Sequence, residues 1–148
     1  MSDRVEFTLP NQDGEEVTSG DLAGKRYVMF FYPRAMTPGC TTESCDFRDS
    51  YQEFREAGYE IIGVSPDAPS RNAKFREKEG LTFDLLSDED HELAESLGAW
   101  GEKTNYGKVY EGLIRSTFVV DEEGAVEKAY RNVRAKGHVA RVKTDLLP

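Results

Sequence analysis

The chain has 148 residues, 38% of them hydrophobic, and a formal net charge of −9 from 28 acidic and 19 basic side chains. A single domain spanning 1–148 is expected, able to bury about two thirds of the surface its unfolded form exposes and needing no covalent staple to fold. The acidity argues against a general role with nucleic acid or anionic membranes, and no stretch nears the roughly 20 apolar residues of a membrane span. Two cysteines and the opening "MSDRVEFTLP", which has no apolar leader, predict a soluble protein in the reducing cytoplasm.

In chain order, Val5 to Leu9 and Glu15 to Thr18 read as a loose hairpin around "NQDG". "YVMFFY", Tyr27 to Tyr32, is a buried strand that Pro33 ends. Phe47, Tyr51 and Phe54 recur at helical spacing up to Gly58, and "YEIIGV" from Tyr59 to Val64 is a second buried strand. A helix fits Pro69 to Glu79, with proline at its start and Gly80 past its end. Leu85 and Leu86 mark a short strand, and Ser87 with Asp90 resembles a capping box for a helix from Asp88 to Leu97. The glycine-rich, aperiodic stretch from Ala99 to Gly112 reads as a loop. Leu113 to Val120 and Ala125 to Tyr130 flank the turn "DEEG" as a hairpin, and a last helix runs from about His138 to Leu147. This order predicts an α/β, thioredoxin-like fold: a mixed central sheet with helices on both faces and an N-terminal hairpin. Reactive groups in such sheets collect beyond the carboxyl ends of the strands, where Pro33 to Cys40 falls.

Both cysteines, Cys40 and Cys45, lie in "TPGCTTESCDFRD". With a helix beginning near Cys40, stepping at about 100° per residue sets Cys40 within roughly 15° of the face defined by Phe47, Tyr51 and Phe54 and turns Cys45 to the other side. Their Cα atoms would then stand roughly 8 to 9 Å apart, beyond the reach of a disulfide. Cys40 sits where unpaired N–H groups and the helix dipole favour a thiolate, which makes it the better nucleophile and leaves Cys45 to condense with an oxidised Cys40. Pro38 and Gly39 would leave the Gly39 and Cys40 N–H groups free for a small electronegative ligand. Zinc fits poorly, since only His91 and His138 remain as further ligands, and the spacing is not the C-x-x-C of a thioredoxin dithiol. Two inert core cysteines stay open on position alone.

The segment Pro33 to Asp49, "PRAMTPGCTTESCDFRD", resembles the peroxiredoxin active-site pattern Pro-x-x-x-Thr/Ser-x-x-Cys, with Pro33, Thr37 and Cys40 in its places. With "GVSPD", "LLSDEDH", "WGEK" and "RSTFVVD" downstream, the chain is similar to the bacterioferritin comigratory protein, or peroxiredoxin Q, subgroup from about Val5 to Tyr130. The resemblance implies reduction of hydrogen peroxide and organic hydroperoxides by a thiol, without metal, haem, flavin or other cofactor. It makes Cys40 the cysteine that attacks the peroxide. Cys45 becomes the resolving cysteine, which forms an intramolecular disulfide for a thioredoxin-type dithiol to reduce. Thr37 would hydrogen-bond thiolate and peroxide, Arg115 would supply the activating cation, and Pro33 would shelter the pocket. A late cysteine for resolution between subunits is lacking, so a monomer is expected. A peroxide-responsive sensor signalling through a partner protein is the alternative use of the same oxidation. Trp100 is expected to pack under its loop, His91 and His138 to lie on the surface, "SDEDHE" to feed charge to a helix start, and Met36 to shape access to the pocket.

Overall fold

The computed structural model describes residues 4–105 and 107–148. A five-stranded sheet forms its centre, in the order β5-β4-β3-β8-β9. Strand β3 (Arg26–Phe31) pairs in parallel with β4 (Tyr59–Ser65), which pairs in parallel with β5 (Asp84–Ser87). On its other side β3 meets β8 (Ser116–Val120) antiparallel, and β9 (Val126–Tyr130) closes that edge. The parallel half is joined by helix α1 (Pro38–Glu56) and helix α2 (Pro69–Glu79), as parallel neighbours require a crossover.

Alternation along β3 sorts the core into two layers. Val28, Phe30 and Tyr32 face Phe47 and Phe54 of α1, Phe75 of α2, and Val139 and Val142 of the C-terminal helix α4 (His138–Leu146). Tyr27, Met29 and Phe31 face the opposite way, against Val5, Phe7 and the short helix α3 (Glu92–Ser96), which contributes Leu93 and Ala94. Both faces are therefore covered, which explains why β3 and β4 read as continuous apolar runs.

Several sequence expectations need correction. The N-terminal hairpin is shorter, β1 (Thr8–Pro10) against β2 (Glu16–Thr18), because Val5 instead donates its N–H to Gly124 beside the β8–β9 turn. The supposed loop after Ala99 is a hairpin, β6 (Trp100–Asn105) with β7 (Lys108–Leu113), paired from Trp100↔Leu113 to Asn105↔Lys108; Tyr106 within it lies outside the described residues. Its glycines hid the strands, since Gly101 and Gly112 form one cross-strand pair and leave no period to detect. Leu113 consequently belongs to β7, and the following strand starts at Ser116. The helix expected from Asp88 is only α3, and its cap is not Ser87: the buried Asp88 carboxylate accepts from the N–H groups of Leu93 (3.2 Å) and Ala94 (2.9 Å). Trp100 is a strand residue whose ring stacks on His91 at 3.7 Å, and His138 is buried at 4% exposure, not on the surface. Among the described residues no helix is long and apolar enough to cross a membrane.

Candidate active site

The site begins where β3 stops. Tyr32 continues the pairing by donating its N–H to the Val64 carbonyl, and Pro33, which has no N–H, ends it. The next residues are fastened from outside: Ala35 donates its N–H to Asp67 (2.7 Å) and accepts from Arg71 (2.9 Å), while Asp67 and Arg71 are themselves paired at 3.2 Å. Held there, the chain reverses through Met36, whose φ of 66° lies in the left-handed region and costs a non-glycine residue about 1–2 kcal/mol. Thr37 then caps α1, with Pro38 in its first turn.

This turn delivers Cys40 to the helix N-terminus with no exposed surface. The first intrahelical bond runs from the Thr41 N–H to the Thr37 carbonyl (2.9 Å), so the N–H groups of Gly39 and Cys40 precede the ladder. From the head of β8, Arg115 donates through Nη2 to Cys40 Sγ at 3.3 Å. The pairing of β8 beside β3 is what spans the 75 residues separating them. Gly39 makes room for this approach, because a Cβ there would stand 3.1 Å from Nη2.

A carboxylate steadies the guanidinium from behind. Arg115 Nη1 donates to Glu43 Oε1 at 2.6 Å, and Glu43 has no exposed surface. Burial pushes the Glu43 carboxyl up to about 7, against the lowering effect of Arg115. Arg115 itself is raised: desolvation opposes its charge, but Glu43 and Cys40 outweigh it. Behind Glu43, His138 Nε2 lies 3.9 Å from Oε2 and 2.7 Å from Thr117 Oγ1, and burial with two nearby arginines lowers this histidine to about 4. It is therefore neutral at pH 7, a polar backing and not a counter-ion. Neither Glu43 nor His138 was found from sequence, since an acid in "TTESC" reads as solvated helix surface. The available signal was the i, i+3 spacing of Glu43 from Cys40, which places both on one face.

Thr37 stands at the turn that leads into Cys40. Its hydroxyl donates to the Arg34 carbonyl (2.9 Å), closing the turn, and its proton is not directed at the thiol. Pro33 and Arg115 line a cleft of about 440 Å³ with Lys103, Ile114 and Val133. Lys103 comes from the unforeseen β6–β7 hairpin, donates to the Leu113 carbonyl (2.8 Å), and is lowered by burial and by Arg115.

Cys45 lies in the same helix but in another setting. Both thiols are free, Cys45 is only half-buried, and it contacts Glu79 at the end of α2. With α1 continuous from Pro38 to Glu56, the two Cα atoms are held roughly 8 to 9 Å apart by helix geometry.

A thioredoxin-like sheet with a buried cysteine at a helix start, hydrogen-bonded by an arginine, defines a thiol-based redox enzyme. Comparison with known proteins narrows this. The AhpC/TSA family model matches residues 2–129. A putative peroxiredoxin of Mycobacterium tuberculosis is 53% identical over 140 residues, covering 95% of this chain and 89% of its own. Peroxiredoxin Bcp of Bacillus subtilis is 50% identical (91% and 86% covered), and that of Escherichia coli 46% (89% and 85%). Among solved structures, the Xanthomonas campestris bacterioferritin comigratory protein, described for its alkyl peroxide reduction, superposes with a TM-score of 0.89 at 39% identity, covering 95% of this chain and 89% of its own. The chain belongs to the AhpC/TSA family and, within it, to the peroxiredoxins of the Bcp and peroxiredoxin Q kind. It is a thiol-dependent peroxidase, with a peroxide substrate and a thioredoxin-type reductant as its family partners.

Proposed function

We propose that Cys40 is the peroxidatic cysteine, and the observation that carries this is the Arg115 guanidinium 3.3 Å from its sulfur at the start of α1. The Cys40 thiolate attacks the nearer oxygen of hydrogen peroxide or an organic hydroperoxide. The O–O bond breaks, water or alcohol leaves, and Cys40 becomes a sulfenic acid. Negative charge grows on the departing oxygen, so donors already aimed at the site lower the barrier: Arg115 and the N–H groups of Gly39 and Cys40. Arginine suits the task because it stays charged at any working pH. Thr37 accepts from the peroxide O–H while its own proton stays on the Arg34 carbonyl, and Pro33 walls the cleft against bulk water.

Cys45 then resolves the sulfenic acid as an intramolecular disulfide with Cys40. The intact helix holds the thiols beyond the 4.4–6.8 Å Cα separation that a disulfide requires. Closure therefore needs the first turns of α1 to unwind. Thioredoxin reduces the product; resolution within one helix supports a monomer, and the scarcity of cysteines supports a cytoplasmic setting. The test is stopped-flow peroxide consumption with thioredoxin and its reductase. The Cys40→Ser variant should consume none, and Cys45→Ser should give one reduction and then stop; full thioredoxin-supported turnover by Cys45→Ser would remove the resolving role.

A further inference from the structure

Cys45 has a partner that the reaction as set out above does not use. Its Sγ lies 3.7 Å from Glu79 Oε1, within reach of an S–H to carboxylate hydrogen bond. Glu79 is the last residue of α2, and its own carbonyl accepts from Arg48 Nη1 at 2.5 Å, so two contacts from one face of α1, three residues apart, grip the same residue. The next helical turn is anchored independently, with Phe47 and Phe54 fully buried. At the start of α1, Pro38 and Thr42 are exposed, while Cys40 packs into the core with no exposed surface and takes the Arg115 bond. Cys45 is thus tied to α2, and Cys40 to the core and to Arg115.

Resting on the resolving role of Cys45, we infer that Glu79 is the catalytic base of disulfide formation: Cys45 stays on α2, Cys40 is carried to it by unwinding of the turn before it, and Glu79 takes the Cys45 proton. The Cys45 thiolate attacks the sulfenic sulfur of Cys40, the S–S bond forms and the S–O bond breaks. The hydroxide leaves as water with the proton that Glu79 relays. Cys45 is oxidised, the sulfenic sulfur is reduced, and no further reactant is needed. A base is called for here because burial and the facing Glu79 raise the Cys45 thiol, against the lowering effect of Arg48 and with a further small push from Asp49. Without help, few molecules would present the thiolate at neutral pH.

The experiment follows two rates after one equivalent of hydrogen peroxide, by acid quench and mass analysis: appearance of the Cys40 sulfenic acid and its conversion to disulfide. Glu79→Gln keeps the shape of the contact and removes the base. It should leave the first rate within twofold of the parent and slow the second by about 10²-fold, the usual worth of a positioned base. The lost rate should return as pH is raised from 7 to 9, because hydroxide then replaces the carboxylate, and Glu79→Asp should recover part of it at pH 7. Under excess peroxide, Glu79→Gln should accumulate the Cys40 sulfinic acid, the product of a second peroxide reaching an unresolved sulfenic acid. Disulfide formation in Glu79→Gln within twofold of the parent at pH 7 would overturn the assignment, and so would an equal slowing at every pH, which a purely structural contact would give. Cys45→Ser in parallel separates the two claims: a persistent sulfenic acid there upholds the resolving cysteine whatever Glu79 does.

Discussion

Cys40 and Cys45 are five residues apart on one helix and meet opposite surroundings. Cys40 has no exposed surface, a guanidinium at 3.3 Å and a helix start beneath it. Cys45 is half-buried, with a carboxylate of α2 at 3.7 Å, and lies within the helix and not at its start. One thiol faces a guanidinium; the other faces a carboxylate, and burial with that carboxylate raises it toward the neutral form. On the proposed reading, nucleophile and resolver are set by what the neighbouring elements aim at them, Arg115 before β8 in one case and Glu79 of α2 in the other, and not by the thiols themselves.

That contrast can be broken or sharpened by experiment. The largest effect should come from Cys40→Ser, which should reduce peroxide consumption to the rate of buffer alone, with Cys45 unable to substitute; residual turnover carried by Cys45 would erase the distinction. Arg115→Ala should follow, lowering the second-order rate with hydrogen peroxide by about 10²- to 10³-fold, the cost of losing one preorganised donor. Arg115→Lys should recover only part of it, since an ammonium cannot reach Cys40 and Glu43 together as the forked guanidinium does. Glu43→Gln should cost less, about 10-fold, because it acts on the reaction only by holding Arg115, and the loss should appear in peroxide attack and leave disulfide formation unchanged.

The smallest effects lie in stability, where the buried pair behind Arg115 has two opposing pH slopes. The Glu43 carboxyl is raised from 4.5 to about 7, so the folded protein holds that proton more tightly. Its contribution to stability is full below pH 4.5 and is lost as pH rises through 7. His138 is lowered from 6.5 to about 4, so its contribution is full above pH 6.5 and is lost as pH falls through 4. Thermal unfolding across pH 4 to 8 should show the parent losing stability on the alkaline side more than Glu43→Gln, and on the acid side more than His138→Asn. Parallel curves for parent and variants would mean that neither group titrates in the folded state as its burial dictates.

Much of the frame was legible because it obeys simple periods. The runs at Tyr27 and Tyr59 gave two central strands, and Pro69 with Gly80 bounded α2 to the residue. Three things were not legible. Gly101 facing Gly112 conceals a hairpin, because strand recognition relies on alternating side chains. Asp88 caps α3 from four residues before its first helical residue, outside the spacing of a capping box. Glu43 and His138 are buried by long-range packing between α1, β8 and α4, and no local pattern distinguishes them from exposed charges. Arg115 shows the same limit: on position alone it is a strand-end cation, and only the sheet order brings it to Cys40.

That sheet order also has a consequence in time. Strand β8 inserts beside β3 late in the chain, after β4 and β5 have extended the sheet on the other side. As the polypeptide is made from its N-terminus, the thiol of Cys40 exists well before the guanidinium 75 residues later. The guanidinium contact at its sulfur is thus completed only when β8 docks beside β3. The same topology that pairs Cys40 with Arg115 withholds that contact until the strand beside β3 has been made.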